Sequence, residues 1–183
     1  GNGLFFEPPS ESDRGNYNNF RNTMSKSELG RSFLSKVDRS PIPVRITYGA
    51  DMPGNDGMTL PKQFFRGGVL ECRWIEIKFN TNSPTFSFAR TGGHELWHTI
   101  NFLDDETRLD YYNKSVEDIN LDHDDQRVEK GDPTTNDPGA ISIGYQVENQ
   151  VNLQILLDKM AGEMETDANK PINVEIENID FSK

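Results

Sequence analysis

Cysteine and histidine are both scarce in this chain: one Cys, Cys72, and three His in 183 residues. A lone cysteine excludes an internal disulfide, and with it the small secreted scaffold that disulfides staple. Cys72 lies in a stretch that reads as a strand, so it is expected to be a small buried apolar residue, not a nucleophile. Basic residues are also outnumbered, 19 Lys and Arg against 30 Asp and Glu, for a net charge of −11. That balance argues against a nucleic-acid backbone or an anionic membrane as the main partner. No apolar run approaches the roughly 20 residues that span a bilayer, and no basic-then-apolar signal peptide opens the chain. The chain is then either cytosolic or a piece of a longer exported protein, and the opening Gly1-Asn2-Gly3, without Met, suggests a trimmed or processed fragment.

Two of the three histidines stand four residues apart, in His94-Glu95-Leu96-Trp97-His98. Positions i and i+4 of an α-helix lie one above the other, so both imidazoles can reach one cation, while Glu95, about 100° round, approaches the open side of the metal. Neutral imidazole binds Zn²⁺ at roughly 2.0–2.1 Å, and a catalytic site uses three protein ligands and leaves a position for water. The ion lowers the pKa of that water to about 7 and polarises a carbonyl, and a neighbouring carboxylate takes the proton during attack. Glu95 is placed for that work. The competing reading is a helix with two surface histidines. Against it stand the rarity of histidine here, the apolar stripe Leu96, Ile100 and Leu103 with Trp97 at its edge, and the preceding strand. That strand is Glu71 to Asn80, alternating from Ile75 to Phe79 and closed by a turn at Asn80-Thr81-Asn82-Ser83-Pro84. Strand, turn and histidine helix is the order that zincins use.

The rest of the chain reads as one domain, long enough for a sizeable core. Residues 1–31, rich in Asn, Ser, Gly and charge, are expected to be a flexible arm, with Leu4-Phe5-Phe6 docking locally, ahead of a peptidase-like domain over residues 32–183. Val44 to Tyr48 reads as a strand ended by Gly49; Pro53 to Gly57 and Gly67-Gly68 read as turns. The acidic stretch from Asp104 to Gly139 is expected to be a functional loop with a short helix over Arg108 to Val116. Tyr145 to Met160 reads as an amphipathic helix with Val147, Val151, Ile155, Leu156 and Met160 on its apolar side, and Ile172 to Glu177 as a final strand.

Two histidines bind zinc weakly, so a third ligand is required. Glu148 is the first candidate, because it lies on the predicted second helix with Asn152 one turn on to hydrogen-bond a ligand histidine. Asp104 is the second: His94-Glu95-x-x-His98-x-x-Asn101-x-x-Asp104 resembles the metzincin extension, with Asn101 in place of the glycine that ends the helix. His123 is the third, although its carboxylate neighbours would raise its pKa. In the same loop Asp118, Asn120, Asp122 and Glu129 match positions 1, 3, 5 and 12 of a calcium loop, but His123 occupies the glycine position, and coincidence explains the match better.

Gly93 to His98, taken with Tyr145-Gln146-Val147-Glu148-Asn149, resembles zinc metallopeptidase domains found as type III secreted effectors and as C-terminal modules of Rhs-type polymorphic toxins. In those, Gly-His-Glu-Leu-x-His precedes a Glu-Asn helix motif; Val151-Asn152 stands here where that family has Ile-Arg. The resemblance covers Gly92 to Leu157. It implies an α+β, zincin-like fold, a small mixed or antiparallel sheet on an active-site helix and a second core helix. It further implies Zn²⁺ held by His94, His98 and Glu148, Glu95 as general base, endopeptidase action on protein in a target cell, and a cognate immunity protein as partner. A metal-binding interaction module with no catalysis, and a zinc hydrolase of non-peptide amide bonds, are the alternatives; the former would have no need of Glu95.

Overall fold

The structure is a computed structural model that describes residues 9–67, 69–103 and 139–169. A 3-10 turn (Glu11–Asp13) leads into helices α1 (Arg14–Ser25) and α2 (Glu28–Asp38), then strands β1 (Val44–Tyr48), β2 (Gly57–Arg66) and β3 (Val69–Phe79), and helices α3 (Phe88–Leu103) and α4 (Ala140–Asn169). The fold class is α+β. The three strands form one mixed sheet in the order β1-β3-β2. β1 runs parallel to β3, with Val44 opposite Ile75 and Tyr48 opposite Phe79. β2 runs antiparallel to β3 from Gly57 opposite Phe79 to Arg66 opposite Val69, with a register shift between Lys62 and Gln63.

The alternation read in β3 sets the core face: Ile75, Ile77 and Phe79 are fully buried. Phe79 starts an aromatic cluster, 5.3 Å from Phe20, 5.6 Å from Phe86 and 6.1 Å from Phe88 between ring centroids. Such tilted and edge-on pairs contribute beyond the area they bury. Above the sheet α3 is the central helix and packs against α1, α2, α4, β2 and β3.

The expected flexible arm over residues 1–31 is not what residues 14–31 form. Phe20 and Met24, one helical turn apart, are fully buried in the core. Arg21 then clamps α1 to α2 through two parallel bonds to Asp38, of 2.8 and 2.6 Å. Helix α2 begins at an N-cap: Ser27 Oγ accepts from the Gly30 N–H at 2.9 Å and donates to Gln150 Oε1 at 2.6 Å, so α4 holds the cap in place. Two apolar residues one turn apart were enough to seat a helix that is otherwise mostly polar.

The strand β2 had no expectation attached to it. Pro61 cannot donate to a ladder, and that is tolerated because β2 is at the edge of the sheet. Cys72 is half-buried, with its thiol 3.3 Å from the Trp74 carbonyl. Helix α4 is longer than expected at both ends. Val147 and Val151 are buried as read, but Ile155, Leu156 and Met160 are about half exposed, at 49, 53 and 49 %. No helix among the described residues is long and apolar enough to cross a membrane.

Candidate metal centre and cleft

The close approach of α3 to α4 fixes the floor of the site. A Cβ on Gly93 would lie 2.8 Å from Val147 Cγ2, and one on Gly144 would lie 2.7 Å from the Arg90 carbonyl oxygen and 3.4 Å from His94 Cβ. Only glycine at both positions lets the two helices come this near. Gly57, at the start of β2, plays the same part on the other side, since its Cβ would meet Glu95 Cγ at 2.9 Å.

Within this frame His94 and His98 project from the same side of α3, with their Nε2 atoms 3.2 Å apart and ring planes at 74°. Two Zn–N bonds of about 2.0–2.1 Å at a tetrahedral angle put the nitrogens about 3.3–3.4 Å apart. The pair therefore has the bite of one tetrahedral edge. Without a cation, two neutral rings at this distance need one Nε2 to carry the proton and the other to accept it. Trp97 lies 5.5 Å from the His98 ring and stands beside the pair.

Glu95 is 3 % exposed. Its Oε1 lies 3.8 Å from His94 Nε2. The other oxygen takes a hydrogen bond from the Thr59 hydroxyl, and the Glu95 carbonyl is 2.8 Å from the Thr99 hydroxyl. Burial disfavours the charged form and pushes the Glu95 carboxyl up to about 7, while the Thr59 hydroxyl pulls it back. An acid poised near neutrality beside two metal-type ligands is suited to taking and returning a proton. A cleft of about 400 Å³ opens on this carboxylate, its walls including Asp56, Gly57, Arg90, His94 and Tyr145. Asp56 is fixed by the hydroxyls of Ser83 at 2.6 Å and Thr85 at 2.8 Å, which ties the start of β2 to the loop before α3.

The structure brings Glu148 to the neighbourhood of this cleft but not onto the histidine pair. Glu148 Oε1 lies 3.5 Å from Arg90 Nη1. Arg90, one turn before His94, also donates to the Thr85 carbonyl at 2.6 Å and sits over the Tyr145 ring at 5.4 Å. Among the described residues no group of three or more His, Cys, Asp and Glu could hold a metal ion. The pair thus fits two corners of a zinc site, and the third corner is not set by the described residues as they stand. Asp104, His123, the 118–129 loop, the short helix over 108–116 and the strand over 172–177 lie outside the described residues. Thr59 and Arg90 carried no sequence expectation: Thr59 sits on the edge strand that had none, and Arg90 was readable only as the residue four before His94. No protein family, curated protein or solved structure matches this chain.

Proposed function

We propose that this chain is a zinc-dependent endopeptidase of the zincin type. The observation that carries the reading is the His94–His98 nitrogen pair at 3.2 Å with the buried Glu95 carboxyl beside it, His94 and Glu95 lining a cleft. The α+β core supports it too, with a mixed sheet under the motif helix and α4 crossing behind. Zn²⁺ bound there would supply a Lewis acid for the scissile carbonyl and an acidified water for attack. His94 and His98 would hold the ion. Glu148 would be the third donor on leaving its part-buried contact with Arg90, which at 3.5 Å is long for a hydrogen bond. Glu95 would serve as the general base that takes a proton from water and returns it to the leaving amine, and the Thr59 hydroxyl holds its carboxyl in place.

The resemblance at Gly93 to His98 and at Glu148-Asn149 supports a bacterial effector or toxin module delivered into another cell, with target-cell protein as substrate and a neutralising protein as partner.

The test is metal content followed by one substitution. Protein purified without added metal is expected to hold or take up about one Zn²⁺. Glu95→Gln is expected to keep that metal while cutting hydrolysis of cell-lysate protein by at least ~10²-fold, the size of a general-base contribution. Expression in the cytosol of a sensitive host should be harmful for the wild type and harmless for the variant. A folded preparation that takes up no zinc ends the reading; retained zinc with no Glu95-dependent hydrolysis leaves a metal-binding interaction module.

A further inference from the structure

One wall of the cleft carries a fixed positive charge that the proton chemistry of Glu95 does not use. Arg90 lines the cleft together with Ile141 and Tyr145. Its side chain is 30 % exposed, enough to be reached and too little for water to screen it fully. Three contacts hold the guanidinium. Nη2 donates to the Thr85 carbonyl at 2.6 Å, the group sits over the Tyr145 ring at 5.4 Å, and Nη1 reaches Glu148 Oε1 only at 3.5 Å. A bond between Arg and a carboxylate normally closes to about 2.7–2.9 Å, so Glu148 leaves the charge under-satisfied. Arg90 is positioned more firmly than it is neutralised. The other charged groups in the wall are committed elsewhere. Asp56 accepts bonds from the hydroxyls of Ser83 and Thr85, Glu95 is buried against Thr59, and His94 belongs to the metal pair. Thr85 spans both charges, with its carbonyl on Arg90 and its hydroxyl on Asp56. Beside the guanidinium stand Ile141 and Tyr145, one turn apart on α4 and 37 and 49 % exposed, an apolar wall for the methylenes of an acidic side chain.

We infer that Arg90 selects the substrate by pairing with a carboxylate of the bound peptide, from an Asp or Glu side chain or from a free C-terminus. This selection rests on the cleft being the peptide site of the proposed zinc peptidase, and it names the class of peptide that the site takes. One guanidinium matches one carboxylate, whereas a phosphate dianion is met by a cluster of Arg. The net charge of −11 repels an acidic peptide at a distance, but salt screens that repulsion beyond about 8 Å while a paired charge acts at contact. Acidic peptides are therefore chosen by contact and not by steering. Glu148 is the internal competitor for the same guanidinium. Once Glu148 turns to the metal, Nη1 is open to the substrate, so zinc and an acidic peptide should strengthen each other's binding.

The experiment reads binding and cleavage separately on the full chain. Fluorescein-labelled peptide pools, alike except for one fixed residue, carry Glu, Gln or Lys with an amidated C-terminus, and a fourth carries Gln with a free C-terminal carboxylate. Anisotropy is followed on the zinc-loaded Glu95→Gln variant, where no cleavage confuses it. The Glu pool is expected to bind at least tenfold more tightly than the Gln and Lys pools. Arg90→Gln in that background should erase the difference, and Arg90→Lys, which keeps the charge without the fork, should restore part of it. Tight binding of the fourth pool supports the pairing and assigns the carboxylate to the chain end. A second arm needs no zinc: metal-free Glu148→Gln should bind the Glu pool several-fold more tightly than metal-free wild type, because the internal competitor is gone. Equal binding of the pools in both arms overturns the inference. So does a Glu preference that survives Arg90→Gln with unchanged far-UV circular dichroism. Wild type that cleaves the pools without regard to the fixed residue overturns this selection and leaves the peptidase reading standing. An Arg90-dependent preference for Glu in a protein that cleaves no pool upholds the pairing and overturns the peptidase reading instead.

Discussion

Helices α3 and α4 cross at two glycines, yet they are held in opposite ways. α3 is packed by five other elements and buries Ala89, Thr91, Gly92, Gly93, Glu95, Leu96, Thr99 and Phe102. α4 is buried only as far as Val151, and beyond it the apolar side chains face outward. The difference separates the two halves of the candidate site. His94, His98 and Glu95 ride on a helix that cannot move without disturbing the core, so their relation is set in advance. Glu148 rides on α4 and is steered by a long, part-buried contact with Arg90 at 3.5 Å. The pair and the base are preorganised, and the third position is adjustable.

The largest effect expected from breaking that contrast is on stability against pH. In metal-free protein the folded-state pKa of Glu95 lies near 7, above the 4.5 of the free side chain. The unfolded chain therefore releases this proton first. The contribution of Glu95 is fully present below about pH 4.5, declines as pH rises, and is lost once pH passes about 7. Glu95→Gln carries no such proton. Chemical denaturation across this range should show the variant gaining on the wild type as pH rises, by on the order of 3 kcal/mol at pH 8. Parallel curves would mean that water reaches Glu95 in the cleft.

Gly144→Ala comes next. The new Cβ would press on the backbone oxygen of Arg90 at 2.7 Å, which no side-chain rotation relieves. The helices must part, at about 1–3 kcal/mol of stability. The same atom lies 3.4 Å from His94 Cβ, so zinc affinity should fall as well. Loss of stability with unchanged zinc affinity would show that the His94–His98 pair does not depend on how α4 is seated.

Much of the preorganised half was legible in the chain. β1 and β3 alternate cleanly, and the histidine spacing names its own helix. The adjustable half was not. The period that placed Ile155, Leu156 and Met160 with Val147 and Val151 was correct for a helix, but periodicity does not say how far along a helix its neighbours cover it, and here the buried residues stop at Val151. β2 was hidden because Pro61 argues against a strand and only an edge position excuses it. α1 was hidden because Phe20 and Met24 are diluted by a polar composition. What places Thr59 and Gly57 against Glu95 is a contact between residues some 36 positions apart, and no local pattern reports that.

Glu148 and Asp104 make the next comparison. If Glu148 is the third donor, Glu148→Ala should weaken zinc binding by tenfold or more, measured by competition with a chelating dye, and Asp104→Ala should change it little. The reverse ranking would favour the metzincin-like spacing His94, His98, Asp104. Arg90→Gln adds a check, because removing the cation frees Glu148 and should raise zinc affinity modestly in the first case and not in the second.

The smallest effect tests the outer half of α4 itself. Gly162 sits in mid-helix with nothing within 4 Å of an added Cβ, the opposite of Gly144 on the same helix. Alanine there costs no packing and removes the conformational freedom that glycine holds in the unfolded chain, so Gly162→Ala should stabilise the helix by up to ~1 kcal/mol. Because this half makes few contacts with the core, the gain is expected first as slower amide hydrogen exchange over residues 153–166 and only weakly in the midpoint of global unfolding. A loss of stability instead would place a neighbour against α4 at Gly162, and the contrast between a packed α3 and an open α4 would end one turn beyond Asp158.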